Sequence, residues 1–245
     1  MKKAIIVGAS SGIGRALAFE LSSKGYILGL CSRRVELLKD LQKELNTPSF
    51  IKMMDVTKES APEILLSLIE EMEDVDLIIL NSGIGFQDSF KQWQQEPFNW
   101  TKERITIETD VLGFTSCAMA SYHYFLKRGC GHLVGVSSIA SLLSNPYCPA
   151  YSSSKAYISR YLECLSNHAY INKKEIAITN ILPGYVDTPM AQGEHVFWLA
   201  TPKKAASQIM QAIMKKKKRA YITKRWILIA FLLKILPNCL LKRIY

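Results

Sequence analysis

The sequence predicts a doubly wound parallel α/β sheet of about seven strands, with helices on both faces, folded as a single domain. Three observations carry that prediction. Short apolar runs such as Ala4-Ile5-Ile6-Val7 and Leu133-Val134-Gly135-Val136 lack the apolar/polar alternation of a half-exposed strand, so they suit strands buried on both faces. Stretches with helical apolar spacing separate these runs, as in successive βαβ units. The first run leads directly into a glycine-rich loop and then a helix, the junction at which such sheets hold a nucleotide.

Composition sets outer bounds. The 245 residues are 49% hydrophobic and 21% charged, an ordinary globular balance. The formal charge of +10 is uneven: residues 195–245 hold twelve Lys/Arg and no Asp or Glu, leaving nineteen basic and twenty-one acidic residues elsewhere. The basic run at 215–219 lacks interleaved aromatics, so no nucleic acid is expected. Six scattered cysteines (Cys31, Cys117, Cys130, Cys148, Cys164, Cys239) form no C-x-x-C pair and no ligand cluster, so reduced thiols, no metal site and a cytoplasmic setting are expected. Met1-Lys2-Lys3 is too short for the charged start of a secretory leader, and Gly8 interrupts any apolar core of one.

After the first strand comes Gly8-Ala9-Ser10-Ser11-Gly12-Ile13-Gly14. Gly8 permits a tight turn, and Gly12 and Gly14 let backbone approach a pyrophosphate at the N-terminus of the following helix. Apolar Ile13, Ala16, Leu17 and Leu21 give that helix its buried side, and Gly25 ends it. The second strand, residues 26–31, runs into Ser32-Arg33-Arg34. An acidic residue there would bind a ribose 2′-hydroxyl and repel a 2′-phosphate, so Ser and two Arg favour NADP(H). Arg33 is the expected phosphate partner, with Ser10 and Arg15 secondary candidates; Arg34 could instead open a helix over 35–45. Residues 49–53 read as a third strand, followed by Asp55-Val56, and 62–72 as an amphipathic helix. A fourth strand over 75–80 ends in Asn81-Ser82-Gly83-Ile84-Gly85, and a long helix is expected over 101–128.

The chemistry is concentrated at Tyr151-Ser152-Ser153-Ser154-Lys155, with Ser138 thirteen positions earlier at the end of the fifth strand. A tyrosine and a lysine four apart share one helix face. A neighbouring ammonium can lower a phenol pKa from its usual value of about 10, which would let the tyrosine exchange a proton with a substrate oxygen. The same spacing also occurs on many helix surfaces. Together with the G-x-x-x-G-x-G loop, however, the set resembles the short-chain dehydrogenase/reductase family, over residues 4 to about 222.

That resemblance implies a role for each matching residue. Tyr151 would be the proton donor, Ser138 would hydrogen-bond the substrate oxygen, and Lys155 would bind the cofactor ribose and tune Tyr151. Asp55 and Val56 would meet the adenine edge, Asp55 having the alternative of leading a helix, and Asn81 and Gly83 would line the adenine-ribose side. After a sixth strand over 175–182, Pro183-Gly184-Tyr185-Val186-Asp187-Thr188-Pro189 matches the segment whose backbone near Val186 and Thr188 hydroxyl hold the nicotinamide carboxamide. Two departures stand out. Leu80-Asn81-Ser82-Gly83 replaces the usual Asn-Asn-Ala-Gly, and Asp110-Val111-Leu112-Gly113 replaces Asn-Val-x-Gly. The family uses a backbone carbonyl at the Asp110 position, so activity is compatible with Asp110, while a carboxylate near Lys155 would favour the charged lysine.

The resemblance thus implies NADP(H)-dependent interconversion of a carbonyl and a secondary alcohol, in a homodimer or homotetramer. The two departures leave room for a second reading, an NADP(H)-binding regulatory or scaffold protein without turnover. Leu142, Leu143 and Tyr147 either line a substrate pocket or pack under their own loop; residues 190–201, with Phe197 and Trp198, form a short apolar lid. Thr201-Pro202 reads as the start of a helix, which leads to a basic run and a last strand over 220–223.

Residues 1–223 are read as the nucleotide-binding catalytic unit and 224–245 as a basic, apolar tail. The tail run from Trp226 to Leu233 is about half the ~20 residues that a bilayer span needs. It either contacts a membrane surface peripherally, which would go with a lipophilic substrate such as a steroid, retinoid or acyl chain, or covers the active site or a partner subunit.

Overall fold

The sheet is built from β1 (Lys3–Val7), β2 (Ile27–Ser32), β3 (Ser49–Met53), β4 (Leu77–Leu80), β5 (Cys130–Val136), β6 (Glu175–Pro183) and β7 (Arg219–Ile222), all parallel, in the order β3-β2-β1-β4-β5-β6-β7. This is a computed structural model, and it describes residues 1–86, 99–191 and 198–235. The helices are α1 (Gly12–Ser23), α2 (Val35–Glu44), α3 (Ala61–Glu71), α4 (Thr101–Ile107), α5 (Phe114–Arg128), α6 (Pro149–Ile171), α7 (Pro202–Met214) and α8 (Trp226–Ile235).

Strand alternation feeds two cores. Ala4, Ile6, Leu28, Leu30, Leu77, Ile79, Val134 and Val136 pack on one face, against Leu17 and Leu21 of α1, Leu38 and Leu41 of α2 and Ile209 of α7. Ile5, Val7, Ile78, Leu80 and Leu133 point the other way, to Leu65 and Leu68 of α3, Phe125 of α5 and Leu162 of α6. Because successive strand residues face opposite sides, an unbroken apolar run serves both cores at once. Full burial of each large side chain contributes about 1.5–3 kcal/mol.

The strand order reverses between β1 and β4. The chain moves outward from β1 to β2 and β3, then crosses back to place β4 on the other side of β1. The loops leaving β1 and β4 therefore diverge and open a crevice at the carboxyl edge of the sheet, where such folds bind ligands.

One element differs from expectation. The helix over 101–128 is not continuous: α4 ends at Ile107, a π-helical turn spans Glu108–Gly113, and α5 resumes at Phe114. A π turn holds one extra residue per turn and recurs at functional sites; this one carries Asp110, which is fully buried. Gly113 closes the turn against the Val56 carbonyl, which a Cβ at this position would approach to 2.7 Å. The start of α7 is as read, with the Thr201 hydroxyl accepting from the Lys204 amide at 3.2 Å and Pro202 in the first turn.

Phe125 is wholly buried, with Gly131 packed against its ring. Phe125→Ala is expected to cost about 3–5 kcal/mol. This would be read as a lower guanidinium midpoint with an unchanged slope; a cost below about 1 kcal/mol would contradict the packing described.

Candidate active site

The crevice begins at the glycine loop. Gly8 (φ 89°) and Gly12 (φ 55°) adopt left-handed backbone conformations that turn the chain from β1 into α1. The loop is fastened to the segment after β4: Asn81 Nδ2 donates to the Gly8 carbonyl at 2.9 Å, and a Cβ on Gly8 would stand 2.7 Å from the Ser82 amide nitrogen. Gly14 sits directly against Gly8, while Ile13 packs toward the core. The Asn81 carboxamide thus ties the end of β4 to the loop after β1. From the far side of the sheet, the methyl of Thr188 comes within 3.0 Å of where a Cβ on Gly12 would be. The Thr188 segment leaves β6 at Pro183 and is held by a bridge from Val186 to Ala200 and by Asp187 N donating to the Ala200 carbonyl at 2.8 Å. Gly184 is covered by the Trp226 ring.

At the other end of the loop the arginines divide. The Ser32 hydroxyl accepts from the Arg34 amide at 3.0 Å, and the Arg34 guanidinium donates to Ser10 Oγ (2.9 Å) and Ser11 Oγ (2.7 Å). Arg34 both opens α2 and lies on the glycine loop, so it stands closer to the loop serines than its reading as a helix-opening residue implied. Arg33 is exposed, with its charge felt at Asp55. Burial alone would raise the Asp55 carboxyl, but hydrogen bonds from the Thr57 amide and hydroxyl (3.0 and 2.9 Å) and the Arg33 charge hold it below the usual range. Arg15 pairs instead with Glu44 at 2.7 Å, which occupies its guanidinium away from Ser10 and Ser11.

Ser138, Tyr151, Lys155 and Asp110 come together. Ser138 follows β5 and accepts from the Ala140 amide at 3.1 Å, at the start of a 3₁₀ turn (Ile139–Leu142). Its hydroxyl also lies near enough to Tyr151 to favour the phenolate. Lys155 Nζ lies 2.8 Å from Asp110 Oδ2, with the lysine side chain 4% exposed and the aspartate 0%. The other carboxylate oxygen accepts from the Ile84 amide at 2.8 Å, and the Ser154 hydroxyl lies 2.8 Å from the Tyr151 carbonyl and 3.3 Å from Asp110 Oδ2. The Asp110 side chain therefore meets Lys155 directly, whereas the family resemblance emphasised the backbone carbonyl at this position.

The electrostatics follow from this pairing. Burial alone would lower the Lys155 pKa, but the Asp110 carboxylate and, after it, Tyr151 together more than offset it, so the ammonium is held charged. Tyr151 was expected to be pulled below its ordinary value by Lys155. Instead it is raised: burial dominates, Lys155 and the Ser138 hydroxyl oppose it, and the Asp110 charge adds to it. The lysine does favour the phenolate, but burial outweighs it and the aspartate beside it cancels part of its charge.

Several contributors escaped the sequence reading. A Cβ on Gly83 would stand 2.8 Å from Lys155 Nζ, and one on Gly85 would overlap the Tyr151 ring. The Gly83-Ile84-Gly85 spacing was visible as a signal, whereas the Ile84 amide and Ser154 gave none. Leu142 packs with Ile139, Trp226, Ala230 and Tyr185, so it lies under α8 rather than facing an open cleft, and Tyr147 is exposed. Residues 192–197 of the 190–201 segment, Phe197 included, lie outside the described residues, as do residues 236–245. Among the described residues no group of His, Cys, Asp or Glu is placed to hold a metal ion.

Comparison with known proteins agrees with this geometry. The family model for short chain dehydrogenases matches residues 2–196. An uncharacterized oxidoreductase of Myxococcus xanthus is 32% identical over 193 residues, 77% of this chain and 74% of that protein. One from Mycobacterium tuberculosis is 29% identical over 254 residues, 99% of this chain and 96% of the other. Among solved structures, a short chain dehydrogenase/reductase from Burkholderia phymatum in complex with NAD superposes with a TM-score of 0.83 at 20% identity, covering 94% of this chain and 92% of that one. A short-chain dehydrogenase from Sphingobium yanoikuyae in complex with NADPH gives 0.79 at 18%, covering 97% of each chain. With the matched family model spanning most of its length and the glycine loop, sheet order and Ser-Tyr-Lys set in place, the chain belongs to the short-chain dehydrogenase family of NAD(P)-dependent oxidoreductases.

Proposed function

We propose that the protein is an NADP(H)-dependent reductase of a lipophilic ketone or aldehyde, able to run in reverse on the corresponding alcohol. The observation that carries this reading is the half-buried Tyr151, set beside Ser138 and backed by a lysine held charged by Asp110. The loop fits a dinucleotide, since Gly8 and Gly12 leave room where side chains would intrude and the first turn of α1 has no side-chain cap. When bound, the cofactor supplies the hydride that reaches the carbonyl carbon.

The chain's own residues do the rest. Backbone at Gly12 and Gly14 holds the pyrophosphate, and Ser10, Ser11, Ser32, Arg33 and Arg34 receive the 2′-phosphate. Asp55, Val56, Asn81 and Gly83 border the adenosine half. Pro183, Gly184, Val186 and Thr188 shape the nicotinamide end, and Lys155 binds the ribose hydroxyls. Ser138 hydrogen-bonds the substrate oxygen, and the Tyr151 O–H bond breaks as its proton passes to that oxygen. Because burial and Asp110 raise the Tyr151 pKa, the phenol stays protonated through neutral pH, which suits reduction.

Tyr185, whose pKa is raised mainly by burial and then by Cys148 and Tyr151, leads from the site to an apolar wall of Trp226 and Trp198; the Tyr185 and Trp198 ring centroids lie 5.7 and 5.9 Å from that of Trp226. This wall favours a lipophilic substrate. Exposed Leu112, Met119 and Tyr157 supply an apolar face for a homodimer.

Tyr151→Phe is expected to lower NADPH-dependent turnover across a ketone and aldehyde panel by about 10²–10⁴-fold, with NADPH binding, followed by nicotinamide fluorescence, unchanged. Near-full activity in that variant would rule the mechanism out. Replacing Arg33 and Arg34 together by Ala should weaken NADPH binding by about 10–100-fold while barely affecting NADH. A wild-type preference for NADH would contradict the assignment.

A further inference from the structure

Helix α8 has a buried apolar face and an exposed one. Trp226 and Ala230 are 3% and 2% exposed and pack on Ile139, Leu142, Tyr185 and Tyr221 beside the active site. Ile227, Leu228, Phe231 and Leu232 point outward, with Leu228 68% and Phe231 64% exposed. Positions spaced in this way lie next to one another on one helix surface. Trp198, whose ring meets that of Trp226, and Leu199 are also substantially exposed and extend the patch. Scattered apolar residues are normal on a surface, but a contiguous group of large ones marks a docking site.

The surrounding charge indicates the occupant. Lys224 and Arg225 are exposed immediately before α8, and the sequence from 195 to 245 contains no acidic residue. A second copy docked face to face would bring these like charges together, whereas an anionic lipid surface offers both counter-charge and a place for the apolar side chains. Among the described residues no helix is long and apolar enough to cross a membrane. The ten residues of α8 extend about 15 Å, half the hydrocarbon thickness, so the helix would lie in the plane of the interface.

We propose that α8 seats on an anionic lipid surface, with Ile227, Leu228, Phe231 and Leu232 immersed and Lys224 and Arg225 at the headgroups, and that a lipophilic substrate passes from the lipid to Tyr151 along Trp226 and Tyr185. The docking stands on the surface alone; the entry route rests on the reductase reading.

The test compares the full chain with Leu228→Glu/Phe231→Glu, two changes at exposed positions, checked by equal unfolding midpoints. In co-sedimentation, wild type should partition onto phosphatidylglycerol/phosphatidylcholine vesicles more than onto phosphatidylcholine alone, and less at high salt. The variant should lose about tenfold or more of that partitioning. No partitioning of wild type, equal partitioning of the variant, or loss of a wild-type dimer without any vesicle effect would overturn the docking, the last by identifying a second copy as the occupant. For entry, the variant should reduce a water-soluble ketone normally but a vesicle-dissolved long-chain ketone more slowly; equal rates on both would overturn the route. If wild type reduces neither, the reductase reading fails, and sedimentation still decides the docking.

Discussion

The buried ion pair between Asp110 and Lys155 is the interaction on which the arrangement of the site depends. It joins three segments distant in sequence: the π turn between α4 and α5, the α6 helix, and, through the Ile84 amide, the loop after β4. Neither charge would be tolerated alone at such burial. Removing one partner of a buried pair costs on the order of 3–5 kcal/mol, although the pair as a whole contributes little net stability because both ions are desolvated. Its value is positional. With the carboxylate fixed by an amide and a nearby hydroxyl, the ammonium has one place to be, and Gly83 leaves that place open.

The same pair sets the protonation logic. A lysine facing the tyrosine without a counter-ion would favour the phenolate and a proton acceptor. With Asp110 in contact, Lys155 remains charged while its effect on Tyr151 is partly cancelled, and burial then keeps the phenol protonated. The cation is therefore available to ribose hydroxyls without committing the tyrosine to the anionic form. On this account, the aspartate in place of the family's usual asparagine tilts the site toward proton donation.

The sheet and the glycine loop were legible in the sequence because their signals are local. Apolar runs bounded by helices fix the strands, and Gly8, Gly12 and Gly14 fix a turn whose backbone permits few other residues. Tyr151, Lys155 and Ser138 were legible by motif. The π turn was not, since an extra residue in a helical turn leaves the apolar pattern of residues 101–128 almost unchanged. Nor was the placement of Arg34 on Ser10 and Ser11, because neighbouring arginines at a strand end differ only in the direction the backbone gives each side chain. The direction of the Tyr151 shift depended on the sum of burial, Lys155 and Asp110, a sum that spacing alone cannot weigh. The role of Trp226 depended on a contact across some forty residues with Gly184, which the sequence offered only as one of several places for the tail, a cover over the active site.

Titration of Tyr151 itself tests the central claim most directly. Tyrosine labelled at Cζ and followed by NMR in wild type and Asp110→Asn, with Tyr151→Phe assigning the resonance, reads its ionisation without reference to any substrate. The account predicts that Tyr151 ionises above the ordinary tyrosine value in wild type and at lower pH in Asp110→Asn, because removal of the carboxylate charge leaves Lys155 uncompensated. A Tyr151 that already ionises below the ordinary value in wild type, or that titrates identically in the two proteins, would contradict it.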